Sequence, residues 1–126
     1  MQRQPAPRSL PGARSCQRAA GAARMRALYR PLRSRVPEAH AVHQALARRC
    51  YEVGPLDERS ARLVKLGIAI GAQAEGAVRS HARRALAEEM HPEELRHVGL
   101  LALTTIGFPH TVAGLGWIEE VIESRS

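Results

Sequence analysis

The chain has 126 residues, 44% of them hydrophobic and only 3% aromatic, and a formal net charge of +7. That length holds one domain with a modest core, and the shortage of aromatics leaves the core to Ala, Leu, Ile and Val. No apolar run reaches the roughly 18–20 residues that span a bilayer, and no stretch alternates long enough for a sheet, so an all-α protein with no membrane segment is expected.

The positive charge is uneven. Residues 1–35 carry nine arginines (Arg3, Arg8, Arg14, Arg18, Arg24, Arg26, Arg30, Arg33 and Arg35) and no acid, which leaves residues 36–126 at −2. A basic arm of this kind can bind nucleic acid or anionic lipid. This one has only Tyr29 for base stacking and matches no nucleic-acid motif, so no nucleic acid is expected as a partner. It is also Arg-rich and acid-free in the manner of a transit peptide. The preferred reading is a disordered tail or a start-site artefact, with translation beginning at Met25. The 18 arginines against the single Lys65 suit GC-rich coding, in which open frames run upstream of true starts. Residues 36–126 then form the domain.

Pro37 suits the first turn of a helix running to about Val53, with Ala39, Val42, Leu46, Cys50 and Val53 as its apolar stripe and Gly54–Pro55 as its stop. Asp57 is a good N-cap for a second helix, and Glu58 favours its positive end. That helix turns Leu63, Leu66, Ile70 and Val64 inward. A third helix runs from about Glu75 to Glu88. His91 caps a fourth, which has Pro92 in its first turn and Val98, Leu101, Ala102 and Thr105 along one side as far as Gly107–Phe108–Pro109. The last, from about His110 to Glu123, buries Val112, Leu115, Trp117 or Ile118, and Ile122.

The third helix carries the most chemistry. Residues three, four and seven apart share a face, so Ala74, Ala77, Val78, His81 and Ala85 form one stripe with a single histidine. Such a histidine is either a satisfied core residue or the one reactive group in a pocket. Glu75 and Arg79, four apart in the favourable order, form a surface ion pair or serve that histidine. Cys16 and Cys50 have no metal or redox spacing, and His40, His43, His91, His97 and His110 form no metal constellation. No metal and no cofactor is expected, and a reducing, cytoplasmic setting is the default.

The runs Leu56–Asp57–Glu58–Arg59, Leu63–Val64–Lys65–Leu66, His81–Ala82–Arg83–Arg84–Ala85–Leu86, Pro92–Glu93–Glu94–Leu95 and Thr104–Thr105–Ile106–Gly107–Phe108–Pro109 occur in order. Together they resemble the carboxymuconolactone decarboxylase family, which includes the alkylhydroperoxidase D-type proteins, over residues 28–123. The resemblance implies an antiparallel helical bundle of about five helices, assembled into trimers or hexamers with the active site near subunit contacts. The turn Glu88–Glu89–Met90 departs from it, because a glycine is usual there for a left-handed C-cap.

The peroxidase branch of that family uses a C-x-x-C-x-x-x-H motif with a glutamate one helix earlier, in which thiolates are the working species. The matching positions here are Ala74, Ala77 and His81, with Arg62 where the glutamate would be. Only the histidine survives, so thiol peroxidase activity is not expected. The decarboxylase branch does without those cysteines. Loss of CO2 from a carboxylated lactone sends electrons toward the lactone carbonyl, which calls for a cation or donor at the oxyanion and an acid to protonate carbon. His81, with an ordinary pKa near neutrality, is the expected proton donor, and Glu75 is expected to orient it. Arg79, Arg83 or Arg84 grips the carboxylate, and Thr105 lines the pocket. The reading is a lyase for a small carboxylated lactone or related acid. The alternative is a non-catalytic oligomeric scaffold, or a small-ligand-binding protein, on the same fold.

Overall fold

The computed structural model describes residues 33–126. The expectations for the basic segment 1–35 therefore lie outside the described residues, except at its last three positions. The chain divides into two compact units at Ala41 and Val42, and residues 42–126 form the one that carries the core.

The described residues contain no strand. Six helices are bounded within them: α1 (Pro37–Glu52), α2 (Glu58–Gly71), α3 (Glu75–Ala87), α4 (Pro92–Leu101), α5 (Leu103–Ile106) and α6 (Phe108–Glu123). Five are long and α5 is a single turn. The expected continuous fourth helix is instead α4 and α5 with a break at Ala102. Gly107, at φ 88, then turns the chain into α6. That left-handed conformation is one glycine adopts without strain.

Local sequence sets most boundaries. The Asp57 carboxylate accepts from the Ser60 N–H at 2.6 Å and starts α2. At α4 the His91 ring accepts from the Glu93 N–H at 3.2 Å, while the Glu94 carboxylate accepts from the His91 N–H at 2.8 Å. Orphan donors of the first turn are thus satisfied from both directions. The turn after α3 closes without glycine: Glu89 takes φ 63, and the Met90 N–H reaches back to the Ala85 carbonyl at 3.0 Å.

Helix α6 packs on each of α2, α3, α4 and α5, and α2 packs closely on α3. Short connections make sequential packed helices run antiparallel. The core is Leu66, Ala69 and Ile70 of α2, Val78, Ala82 and Ala85 of α3, Leu95 of α4, Ile118 and Val121 of α6, and Met90 from the turn. No aromatic belongs to it, as the composition requires.

Several expected stripes are rotated. In α6 the buried residues are Thr111, Gly114, Ile118 and Val121, while Val112 is half exposed. The cause is Gly114: a Cβ there would lie 2.8 Å from Cγ2 of Ile70, so α6 closes backbone-first on α2. Gly99 does the same for α4, where a Cβ would meet Cδ2 of Leu115 at 2.3 Å. Helix α4 accordingly buries Leu95 and Gly99 and leaves Leu101 exposed. Thr111 is tolerated inside because its hydroxyl donates to the Gly107 carbonyl at 2.8 Å. Val64 faces outward. No residue of helix α1 is fully buried: Val42 and Leu46 of its expected stripe, and Val53 just past its end, are each at least 60% exposed.

Candidate functional site

The anticipated stripe on α3 splits. Val78, Ala82 and Ala85 are core, whereas Ala74, Ala77 and His81 sit half-buried at its edge. His81 thus lies where the bundle interior meets solvent, with two alanine methyls one and two turns before it on its own face.

Across from His81, α2 presents Arg62, which is buried, and Lys65, which is half-buried. Nη1 of Arg62 lies 3.4 Å from Nδ1 of His81. A guanidinium can only donate, so Nδ1 is the acceptor and the neutral ring carries its hydrogen on Nε2. The rest of the Arg62 fork is held by Glu88, the C-cap residue of α3, at 2.8 and 3.2 Å. Tyr51, at the end of α1, covers the other side. Cζ of Arg62 is 5.0 Å from its ring centroid and Nζ of Lys65 is 4.6 Å from it, within the range of cation–π attraction.

These surroundings act on His81 in one direction. Desolvation, then Lys65, Arg62 and Arg84, push its pKa down to about 4. The expectation of a histidine titrating near neutrality is therefore corrected: in the unliganded site the ring is neutral at pH 7. Burial also raises the Tyr51 pKa, with Arg62 the largest opposing influence.

The other expected site residues lie elsewhere. Glu75 accepts from Arg79 at 3.0 and 3.2 Å, and Arg79 also pairs with Glu120 of α6 at 2.5 Å. The Arg79 side chain is only 11% exposed. Two residues before His81 on a helix is the opposite face, so this cluster ties α3 to α6 and neither member acts on His81. Arg83 is exposed, and its carbonyl accepts from Nη1 of Arg125 at 3.4 Å. Thr105 back-bonds to the Leu101 carbonyl at 3.3 Å and borders a mostly apolar cleft of about 530 Å³ between α2 and α4–α5, with Val64, Gly67, His97, Val98 and Leu101.

Sequence reasoning missed Lys65 as a neighbour of His81, and Tyr51 and Glu88 as the partners of Arg62. Some signal was present: Arg62 and Lys65 are three apart on one face of α2, and His81, Arg84 and Glu88 follow the same helical spacing. No local pattern placed the end of α1 against them. Among the described residues no group of three or more His, Cys, Asp or Glu could hold a metal ion, and no helix is long and apolar enough to cross a membrane. Cys50 is exposed, and Cys16 lies outside the described residues.

Fold and site together define an all-helical protein whose one desolvated histidine stands among cations, with alanines one and two turns before it on the same face. The family model "Carboxymuconolactone decarboxylase family" matches residues 37–120. The chain belongs to that family. Its structure is similar to the crystal structure, in the apo form, of a carboxymuconolactone decarboxylase family protein from Legionella pneumophila. The TM-score is 0.69 at 18% identity, over 86% of this chain and 96% of the other. No curated protein matches the chain significantly.

Proposed function

We propose that this protein is a decarboxylase-type lyase that binds a small carboxylated lactone or related acid at His81, and that it has no thiol peroxidase activity. The observation that carries the reading is the half-buried neutral His81 set among Arg62, Lys65 and Arg84, with alanine at positions 74 and 77. Cations beside a desolvated ring favour an anionic substrate. In the proposed reaction the bond to the carboxylate carbon breaks and CO2 leaves. The electron pair moves into the conjugated lactone carbonyl as a dienolate, and the donors around His81 hold that oxyanion. A proton then returns to the distal carbon.

The proton comes from His81 after substrate binds. Desolvation depresses the ring most and the cations Lys65, Arg62 and Arg84 add to it; a bound anion offsets those cations, which raises the pKa and lets the ring take up a proton from solvent before the chemical step. Arg79 and Glu75 serve the α3–α6 contact in this scheme, and Lys65 with Arg84 replaces Arg79 and Arg83 as the carboxylate grip. We also propose a cytoplasmic homo-oligomer, a trimer or hexamer. Support comes from the apolar surface left open by Val42, Leu46, Val53, Ile68, Leu101 and Phe108, each at least 60% exposed. Burying these side chains against further copies of the chain would remove that apolar area from water.

The test is to incubate the protein with a carboxymuconolactone and, separately, with an organic hydroperoxide plus thiol. Lactone decarboxylation that His81→Ala abolishes supports the lyase, and thiol-dependent peroxide turnover refutes the reading. Sedimentation that finds only monomer at tens of micromolar refutes the assembly. One observation favours the second reading, a non-catalytic ligand-binding protein: a ring with a pKa of about 4 has no proton to give in the empty site. Ligand binding without turnover is the outcome that selects it.

A further inference from the structure

Arg62 is a buried cation, 8% exposed, and all three of its guanidinium nitrogens meet α3 or its C-cap. Nε and Nη2 donate to the two oxygens of Glu88 at 3.2 and 2.8 Å, and Nη1 lies 3.4 Å from Nδ1 of His81. Glu88 and His81 are seven residues apart, two turns along one face. Arg62 bridges them from α2. Pairing of the fork with a carboxylate fixes the plane of a guanidinium as well as its place. The Tyr51 ring, 5.0 Å from Cζ, packs against the same group. Where Nη1 points therefore follows from where Glu88 holds the other two nitrogens.

A neutral imidazole has two choices open: which nitrogen carries the hydrogen, and which edge of the ring faces its neighbours. The hydrogen bond made at one nitrogen decides both. A donor fixed at Nδ1 leaves the hydrogen on Nε2 and turns that nitrogen away from Arg62. We infer that Glu88 is a positioning residue, which through Arg62 fixes the tautomer and orientation of His81 so that Nε2 is the nitrogen offered to a substrate. The consequence for turnover rests on the lyase reading, whereas the tautomer is a property of the protein alone. An ion pair that merely joined α2 to α3 would need only Glu88 and would set no donor on the ring. The same arrangement keeps Arg62 out of the carboxylate grip, because its fork is already engaged.

The experiment labels the histidines of the full-length protein with nitrogen-15 and reads the ring nitrogens of His81 by NMR at pH 8, where the ring is neutral. His81→Gln assigns the signals. The parent should carry its hydrogen on Nε2. A hydrogen bond from a charged donor shifts the tautomer ratio about tenfold, so the Nδ1–H share should rise by about that factor in Arg62→Met. It should rise several-fold in Glu88→Ala, which leaves Arg62 in place but unheld. Glu75→Gln removes a different ion pair of α3 and should leave the ratio unchanged. A Glu88→Ala ratio equal to that of the parent overturns the role of Glu88, and so does a parent ring with its hydrogen on Nδ1. An equal rise in Glu75→Gln overturns it too, since any loosening of α3 would then suffice. With a carboxymuconolactone, Glu88→Ala should lower kcat several-fold through lost ring orientation and hold KM within about twofold, Lys65 and Arg84 being intact. The reverse split places Glu88 in substrate binding and overturns the positioning role. A parent that shows the expected tautomer but no turnover overturns the lyase reading and leaves the positioning role standing.

Discussion

The depressed His81 pKa makes a stability prediction that needs no substrate. The ring sits near 4 in the folded state, against an ordinary value of 6.5. Because the folded value is the lower one, the unfolded chain takes up the proton first as the pH falls. The stability His81 contributes is complete above pH 6.5 and drains away between about 6.5 and 4. At pH 4.5 the loss would approach about 2.5 kcal/mol for a fully desolvated ring. His81 is only half-buried, so solvent screening reduces this to about 1 kcal/mol. For a domain of this size that is a melting-temperature change of about 5 °C. The measurement is thermal unfolding by circular dichroism at pH 7.5 and pH 4.5, for the parent and for His81→Gln. The carboxylates titrate in both proteins, so the difference between the two drops isolates the histidine. The parent should lose about 5 °C more than the variant. Equal losses, or an imidazole proton resonance titrating at or above pH 6.5, would refute the account of cations and desolvation around the ring.

Gly114→Ala should destabilise by about 1–2 kcal/mol, the overpacking against Ile70 exceeding the gain in helix propensity. Gly116→Ala, whose Cβ would meet nothing within 4 Å, should stabilise by about 0.5–1 kcal/mol in the same urea unfolding series. Arg79→Met strips the partner from Glu75 and Glu120 and should cost about 1–2 kcal/mol, between the values for exposed and buried pairs. The same variant should turn over a carboxymuconolactone as the parent does, because Arg79 faces away from His81; weakened turnover would restore Arg79 to the site. Glu89→Gly relieves a left-handed φ of 63 and should raise stability by about 0.5 kcal/mol in thermal unfolding.

Much of this protein was legible along the chain because it depends on local chemistry. Asp57, His91–Pro92 and Gly107 set helix ends through hydrogen bonds and dihedral preferences that act within one turn. The scarcity of aromatics dictated a core of small aliphatic side chains. The order of short motifs carried the family, and alanine at 74 and 77 excluded a dithiol. What remained hidden depends on helix rotation and on contacts between distant segments. Gly99 and Gly114 look like weak points in their helices, yet they are where backbones approach most closely, and that approach turns α4 and α6 by about one residue.

The site shows the same division. Sequence singled out His81 and its neighbours on α3, but helix geometry alone cannot say which charges on α2 or at the end of α1 will face it. Arg79 and Glu75 were close in sequence and turned away, whereas Arg62, Lys65 and Tyr51 were distant and came together. A histidine's pKa is set by burial and by charges within a few ångströms. Both exist only once the helices are packed, so tertiary structure alone decided that His81 is neutral and set among cations.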